Sequence, residues 1–249
     1  MPWYLLDLFQ HSYLLNRIPV EIILLLGLLA QYIFFSNNSS CQKCSDDKTA
    51  SSNILVATTH INWYTELLKR HSTSLLKVSE WKSDSHRESN GWKGKDYMHS
   101  SNSHVRIFDY FLLRCTDLET PGGAVTVDGD VDYALSAAVY FSACAESHKG
   151  LCHGGTMCAV MDDAVGWLGF CESGQCRPWS GYTVQVDTSL KKAITIGSYL
   201  RLDVWIERRE GSRKIFIGAC LFNPESGEVH AKCKGLFLKS TPKESKKVQ

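Results

Sequence analysis

The chain has 249 residues, which is enough for one domain with an additional segment or for two small domains. With 27 Lys and Arg against 26 Asp and Glu, its formal net charge is +1, so no global charge attracts it to nucleic acid. Apolar residues make up 44% and charged residues 21% of the chain, which excludes a wholly disordered or fibrous protein.

Residues 1–36 form a hydrophobic N-terminal segment that contains the apolar run IILLLGLLAQYIFF. A membrane-spanning helix needs about 17–25 residues, and extending the run backwards brings in Pro19 and Glu21. No site for signal-peptide cleavage follows the run. We predict a hydrophobic helix that anchors the chain to a membrane in a single pass; the alternative is a helix docked on the protein itself.

The chain contains ten cysteines, most of them in apolar or strand-like runs where cysteine behaves as a small hydrophobic residue. This distribution favours a reducing compartment, and it leaves a cytoplasmic and a mitochondrial location open. Cys41 and Cys44 form a CxxC pair, but no second pair or nearby histidine completes a zinc site. We therefore predict neither a metal site nor a cofactor.

Residues 37–104 are predicted to be a linker, because the polar stretch 79–104 has no periodic apolar pattern. Within this linker, a helix is predicted at about 54–81 from the loose helical spacing of its apolar residues. From residue 105 the pattern changes to strands around one long helix at 156–170, whose apolar residues recur at helical spacing. The predicted strands lie at 105–113, 137–144, 181–191, 198–207, 212–222 and 228–238. A helix followed by an antiparallel meander is an α+β pattern, and residues 241–249 form a basic tail.

Two glycines, Gly154 and Gly155, follow His153 at the start of the long helix. The N–H groups of a first helical turn can stabilise negative charge, including an oxyanion formed from a carbonyl. The alternative is a tight structural turn in which His153 caps the helix.

Asp162 lies in a stripe of small residues on the same helix, away from the apolar stripe. The stripe consists of Gly155, Cys158, Ala159, Gly166 and Gly169. Small side chains around an acid indicate that a partner helix, a slender ligand or both pack closely over this face. Asp162 is thus a candidate general base or nucleophile, whereas Asp163, rotated by about 100°, is predicted to be a structural or interface acid.

The run HGGTMCAVMD resembles the His-Gly-Gly…Asp signature of the hot-dog-fold acyl-CoA thioesterases, with the acid nine residues after the histidine. The run YTVQVDTSLKK at 182–192 resembles the strand after the central helix in the branch of thioesterase-superfamily members 4 and 5. The resemblance covers residues 105–240. It implies a hot-dog fold, with the long helix against the sheet, and a homodimer or tetramer whose active sites lie between protomers.

The resemblance also implies roles for individual residues. Asp162 would activate water or attack the thioester carbonyl, and the amides of Gly154 and Gly155 would polarise that carbonyl. His153 would fix the turn, and Thr183 would assist the carboxylate or position water. The positions implied to contact the substrate are Ser189, Lys191, Arg213 and Lys214. With Gln185, the residues Thr183, Ser189 and Lys191 would form one polar track along the strand, about 26 Å long.

The expected function is hydrolysis of fatty acyl-CoA to free fatty acid and coenzyme A. The alternatives are a non-catalytic acyl-CoA-binding or protein-interaction module of the same fold, and a hot-dog hydratase or dehydratase. The stretch CESGQCRPWSG at 171–181 is longer than the resemblance leads us to expect.

Overall fold

The computed structural model describes residues 61–94, 96–100, 103–121 and 133–241. The predicted N-terminal anchor, Cys41 and Cys44, the start of the predicted 54–81 helix and residues 242–249 lie outside the described residues. Within the described ranges, no helix has the length and apolar character needed to cross a membrane.

The described ranges contain four α-helices and ten strands, numbered here in chain order. The helices are α1 (Asn62–His71), α2 (Val78–Lys82), α3 (Asp84–Ser89) and α4 (Gly154–Phe170). The strands are β1 (Leu75–Leu76), β2 (Val105–Ile107), β3 (Tyr110–Arg114), β4 (Tyr133–Phe141), β5 (Glu146–His148), β6 (Leu151–Cys152), β7 (Gly181–Leu190), β8 (Tyr199–Glu210), β9 (Lys214–Phe222) and β10 (Val229–Lys239).

One antiparallel sheet in the order β1-β3-β4-β8-β9-β10-β7 forms the body of the molecule, with β2 also paired to β4. A separate two-stranded ladder of β5 and β6 leads into α4. The long helix packs against β7, β10, β9 and β8. The prediction of an α+β hot-dog arrangement, with one long helix against an antiparallel sheet, is confirmed, and β7 forms one edge of that sheet.

Helix α4 begins at Gly154, two residues earlier than the periodicity predicts, because His153 caps it. Its apolar side chains face the sheet, and Val160, Met161, Ala164 and Val165 are fully buried there. Counted from Met157, they lie at i+3, i+4, i+7 and i+8, which places them on one face of the helix.

Part of the small-residue stripe serves the contact between helix and sheet. A Cβ atom added to Gly169 would lie 2.3 Å from the Phe237 ring, so only glycine fits at this position. A Cβ on Gly166 would lie 3.6 Å from Thr183 Oγ1. The C-terminal half of the stripe therefore packs against β10 and β7, and the part at Cys158 and Asp162 stays exposed.

The segment from α2 to residue 100 is predicted to be part of a linker, but in the structure it packs against α4. Trp81 stacks on Trp167 of α4, with 5.9 Å between the ring centroids. Asp96, Met98 and His99 are buried. Although the segment is polar in composition, its polar groups bond to one another: the carboxylate of Asp96 accepts the backbone N–H groups of Met98 and His99. Internal pairing of this kind lets a polar sequence pack.

Candidate functional site

One of the two glycine amides at the N-terminus of α4 is hydrogen-bonded within the helix cap. Gly155 N donates to the Nδ1 atom of His153 at 2.8 Å, and the hydroxyl of Thr156 donates to the His153 carbonyl at 2.6 Å. The Gly155 amide is therefore engaged by the cap, whereas the resemblance implies that both glycine amides polarise a carbonyl. The Gly154 amide belongs to the N–H groups that helix geometry leaves without an intrahelical acceptor.

Asp162 faces an open groove between the outer face of α4 and β7. The groove has a volume of about 640 Å³ and is lined by Cys158, Asp162 and the residues 183–188. Asp162 is exposed, and one helical turn further on a Cβ added to Gly166 would lie 3.6 Å from Thr183 Oγ1. The structure thus brings Asp162 and Thr183 to the same groove, as the sequence resemblance implies.

The groove lies along an edge of the sheet. Strand β7 pairs with β10 on one side, and no other described strand pairs with its second side. Along β7, Tyr182, Val184 and Leu190 are 47%, 46% and 49% exposed. An unpaired edge with apolar side chains is a surface that another chain can cover.

A β-bulge separates the polar residues of β7. Thr183 lies opposite Phe237, but Gln185 lies opposite the adjacent residue Leu236, so Val184 is an extra residue in the strand. Opposed residues project to one face, and Phe237 is buried, so Thr183 points towards α4. Ser189 lies opposite the exposed Lys232, on the other face of the sheet. The predicted single track from Thr183 to Ser189 is therefore wrong.

Ser189 and Lys191 lie in a second groove, of about 450 Å³, on the face of the sheet that points away from α4. Lys232 and Lys234 of β10 line the same groove, together with the acids Asp187 and Glu207. These two lysines of β10 are not among the site residues predicted from the sequence, although their spacing of two residues in a strand puts them on one face.

Arg213 and Lys214 lie at the opposite end of the sheet. Lys214 pairs with Leu238, whereas Lys191 N bonds to His230 O. Eight strand residues separate Leu238 from His230, a distance of about 26 Å. Arg213 Nε donates to the Lys239 carbonyl at 2.9 Å, and Lys214 Nζ lies 2.9 Å from Glu210 Oε1. The two basic positions therefore cannot bind the same phosphate groups within one copy.

The second acid of the pair, Asp163, faces away from the groove. Its Oδ2 atom lies 3.0 Å from His99 Nε2 and accepts the Tyr110 hydroxyl at 3.1 Å. Burial, together with the charge of Asp163, raises the pKa of Tyr110 well above its usual value, so the phenol stays a protonated donor. Asp163 has the structural role that the sequence predicts.

The candidate oxyanion donor, the Gly154 amide, and the candidate base, Asp162, lie apart on α4. Gly154 and Asp162 are eight residues apart on one helix. With a rise of about 1.5 Å per residue, they are about 12 Å apart along the axis. A single carbonyl cannot contact both the Gly154 amide and the Asp162 carboxylate of one copy. In the described part of the chain, no cluster of three His, Cys, Asp or Glu could hold a metal ion.

Among known proteins, no family description and no curated protein matches this chain. Solved structures of thioesterase-superfamily proteins do match it. The His-Gly-Gly…Asp motif resembles the signature of thioesterases in the same superfamily. A thioesterase-superfamily protein shares 23% identity over 43% of this chain and 49% of that chain, with a TM-score of 0.36, so the match spans about half of that protein.

A hypothetical thioesterase from Streptococcus pneumoniae TIGR4, solved with coenzyme A, matches at 15% identity over 58% of this chain and 94% of that chain, with a TM-score of 0.40. Thioesterase superfamily member 2 from Mus musculus matches at 17% identity over 41% of this chain and 72% of that chain, with a TM-score of 0.35. Similarity at this level assigns no activity.

Proposed function

We propose that this chain is an acyl-CoA thioesterase that hydrolyses fatty acyl-CoA to free fatty acid and coenzyme A. The observation that carries the proposal is the position of Asp162, which is exposed in an open groove beside Thr183, whereas the adjacent acid Asp163 is half-buried and engaged by His99 and Tyr110. An acid that contributes only to the fold gains nothing from such a position. The His-Gly-Gly…Asp motif supplies the reaction class.

In the proposed reaction, Asp162 accepts a proton from a water molecule as the oxygen of that water attacks the thioester carbonyl carbon. The carbonyl oxygen becomes an oxyanion that accepts a hydrogen bond from a Gly154 amide. The C–S bond then breaks, and the leaving sulfur takes a proton to give coenzyme A. Direct attack by the carboxylate, with a mixed anhydride that water then hydrolyses, uses the same groups. Thr183 orients the carboxylate or the water.

The proposed active site is shared between two copies of the chain. Since Gly154 and Asp162 of one copy are about 12 Å apart, the oxyanion donor must come from a second chain. A two-fold axis close to Cys158, midway between them, brings each Asp162 level with the Gly154 of its partner. Pairing of the β7 edges in this dimer covers the exposed side chains of Tyr182, Val184 and Leu190.

The phosphates of coenzyme A are proposed to bind at the groove of Ser189 and Lys191, with Lys232 and Lys234 adding positive charge. This groove lies at the end of β7 where Leu190 approaches Gly154; a Cβ on Gly154 would lie 2.9 Å from Leu190 Cδ1. The groove and the proposed oxyanion donor thus lie at the same end of β7, on opposite faces of the sheet. The Arg213 and Lys214 positions are not assigned to these phosphates.

The experiment is direct chromatographic measurement of coenzyme A released from acyl-CoA substrates of increasing chain length. Chromatography is preferable to a thiol reagent because the protein itself has ten cysteines. Wild type should release coenzyme A, and Asp162→Asn should lose about 100-fold or more of the turnover. Glu225→Gln, in the exposed β9–β10 turn, is the matched control. Binding of acyl-CoA without any release would identify a non-catalytic module instead.

A further inference from the structure

A half-buried tryptophan lies in the groove of Ser189 and Lys191. Trp205 of β8 lines this groove, on the face of the sheet that points away from α4. A Cβ atom added to Gly218 would lie 2.5 Å from Cε2 and 2.6 Å from Cζ2 of the Trp205 ring. The indole therefore lies directly over the backbone of β9, at a position where any side chain other than glycine would displace it.

Trp205 lacks the contacts that hold the other tryptophans of the described ranges. It packs into neither hydrophobic cluster of these ranges, no aromatic ring there stacks on it, and no group there accepts a hydrogen bond from its Nε1 atom. The other five described tryptophans each contact an aromatic ring, namely Trp63, Trp81, Trp92, Trp167 and Trp179. An indole that rests on a sheet without such partners can stack a flat ligand on the ring face turned away from the sheet.

The three lysines of the groove have no ion-pair partner among the described residues. Lys191, Lys232 and Lys234 are exposed, and the two acids that line the same groove pair with none of them. The next residue along the chain, Lys192, does pair with a carboxylate, that of Glu228. The three ammonium groups therefore keep their charge for an anion that enters the groove from outside.

Strand register sets the order of these groups along the groove. Trp205 lies opposite Gly218, and Gly218 lies opposite Lys234 on the next strand, so the indole points from β8 towards β10. Lys191 lies beside His230, because its backbone N–H donates to the His230 carbonyl. From residue 234 to residue 230, β10 covers about 13 Å. The indole is therefore at one end of a row of three ammonium groups, and Lys191 is at the other end.

On the basis of the proposed function, we propose that Trp205 binds coenzyme A by stacking on its adenine ring. The phosphates follow along the three lysines, and the pantetheine arm passes round the end of the edge strand β7, where Leu190 approaches Gly154. The order along the groove is thus the order of base, phosphates and pantetheine in coenzyme A. Since stacking makes the base part of recognition, thioesters of coenzyme A are preferred over those of phosphopantetheine, which has no base.

Titration calorimetry of coenzyme A with the full-length protein tests the stacking without requiring hydrolysis. Trp205→Leu should raise Kd about tenfold or more, which is the loss expected for one stacked base. Trp205→Phe, which keeps an aromatic ring, should raise Kd about threefold at most. Tyr199→Leu is the matched control, because it removes a half-buried ring from the same face of β8 about 20 Å away, and it should bind as wild type does.

A second measurement does not depend on how well the leucine variant folds. Coenzyme A should quench the indole fluorescence of wild type, and Trp205→Phe should still bind coenzyme A with that quenching lost. Equal Kd values for wild type and Trp205→Leu, or equal quenching in wild type and Trp205→Phe, would overturn the proposal. Tighter binding of ATP than of coenzyme A would also overturn it, because the groove would then be a site for free nucleotides.

Release of coenzyme A from acyl-CoA, measured separately, distinguishes a failure of this proposal from a failure of the proposed function. If wild type hydrolyses acyl-CoA and Trp205→Leu binds coenzyme A as tightly as wild type, the stacking is wrong and the activity stands. If coenzyme A binds through Trp205 but none is released from acyl-CoA, the stacking stands and the activity is wrong.

Discussion

The Nε2 atom of His99 lies 3.0 Å from the Oδ2 atom of Asp163, although 64 residues separate the two in sequence. The other ring nitrogen of His99 faces the Ile107 carbonyl at 3.1 Å. Each ring nitrogen of His99 thus faces an oxygen atom. The two adjacent acids of α4 therefore have different surroundings. Asp163 binds the segment from α2 to residue 100, whereas Asp162 faces the groove.

Asp163→Asn should lower the free energy of unfolding by about 1–3 kcal/mol, because the His99 ring loses its anionic partner while remaining buried. Asp162→Asn should leave stability unchanged and reduce turnover. Urea unfolding and coenzyme A release, measured on the same preparations, separate the two effects. Equal losses of turnover per folded molecule in the two variants would contradict the assignment of Asp162.

Acid unfolding should depend on Asp96. Burial opposes ionisation of this carboxyl, but the Lys82 ammonium at 3.1 Å and the backbone N–H of His99 outweigh it and lower the pKa. A lowered folded pKa contributes stability that is present above the unfolded pKa of about 4 and is lost as the pH falls below it. Asp96→Asn should therefore be less stable than wild type at neutral pH and should lose less stability between about pH 5 and pH 2.

Urea unfolding across that pH range, with Glu225→Gln as a control for an exposed acid, measures this difference. Parallel curves for wild type and Asp96→Asn would show that the carboxylate of Asp96 does not hold the segment.

Periodicity predicts α4 and the strands β7 to β10 to within a few residues, because each has a continuous face towards one core. The same reasoning cannot predict the bulge at Val184, since one extra residue leaves no mark in a strand whose polar and apolar residues already alternate. Packing of residues 78–100 depends on pairs such as Trp81 with Trp167 that are remote in sequence. Asp162 can be predicted as a candidate site residue from the sequence, because the small residues around it lie within one helix.

Charge reversal at the two ends of the sheet should have different effects. Lys191→Glu should raise KM for acyl-CoA about five- to tenfold with kcat unchanged, because phosphate contacts are equal in the ground and transition states. The same variant should leave KM for acyl-pantetheine, which lacks the nucleotide, unaltered. Reversal of Arg213 with Lys214 should alter KM less, since these residues lie about 26 Å away.

Lys93→Glu, another exposed lysine, controls for the change in net charge. If Lys191→Glu impaired hydrolysis of acyl-pantetheine as much as that of acyl-CoA, Lys191 would be supporting the fold or the dimer rather than binding phosphate.

Deletion of residues 1–36 should release the protein from membranes and leave hydrolysis intact, because the apolar run lies in this segment and every proposed catalytic residue lies beyond residue 150. Carbonate extraction of cells that express each form is the measurement. Recovery of the full-length chain in the soluble fraction would contradict the anchor.

The dimer should place the two copies of Cys158 close to the two-fold axis. A short bis-maleimide should therefore link wild type into a covalent dimer, and Cys158→Ser should abolish the link, whereas Cys144→Ser should keep it. Linking that persists in Cys158→Ser would place the interface elsewhere.

Complementation between two inactive variants tests the shared active site most directly. Gly154→Pro removes the proposed oxyanion donor at a position where proline suits a helix, and Asp162→Asn removes the acid. When equal amounts of the two variants are mixed and their subunits exchange, half of all dimers are heterodimers, and each heterodimer has one intact site out of two. Release of coenzyme A should therefore recover to about a quarter of the wild-type rate. If exchange occurs and the mixture stays as inactive as either variant alone, Gly154 and Asp162 do not act together across two chains, and the proposed active site is wrong.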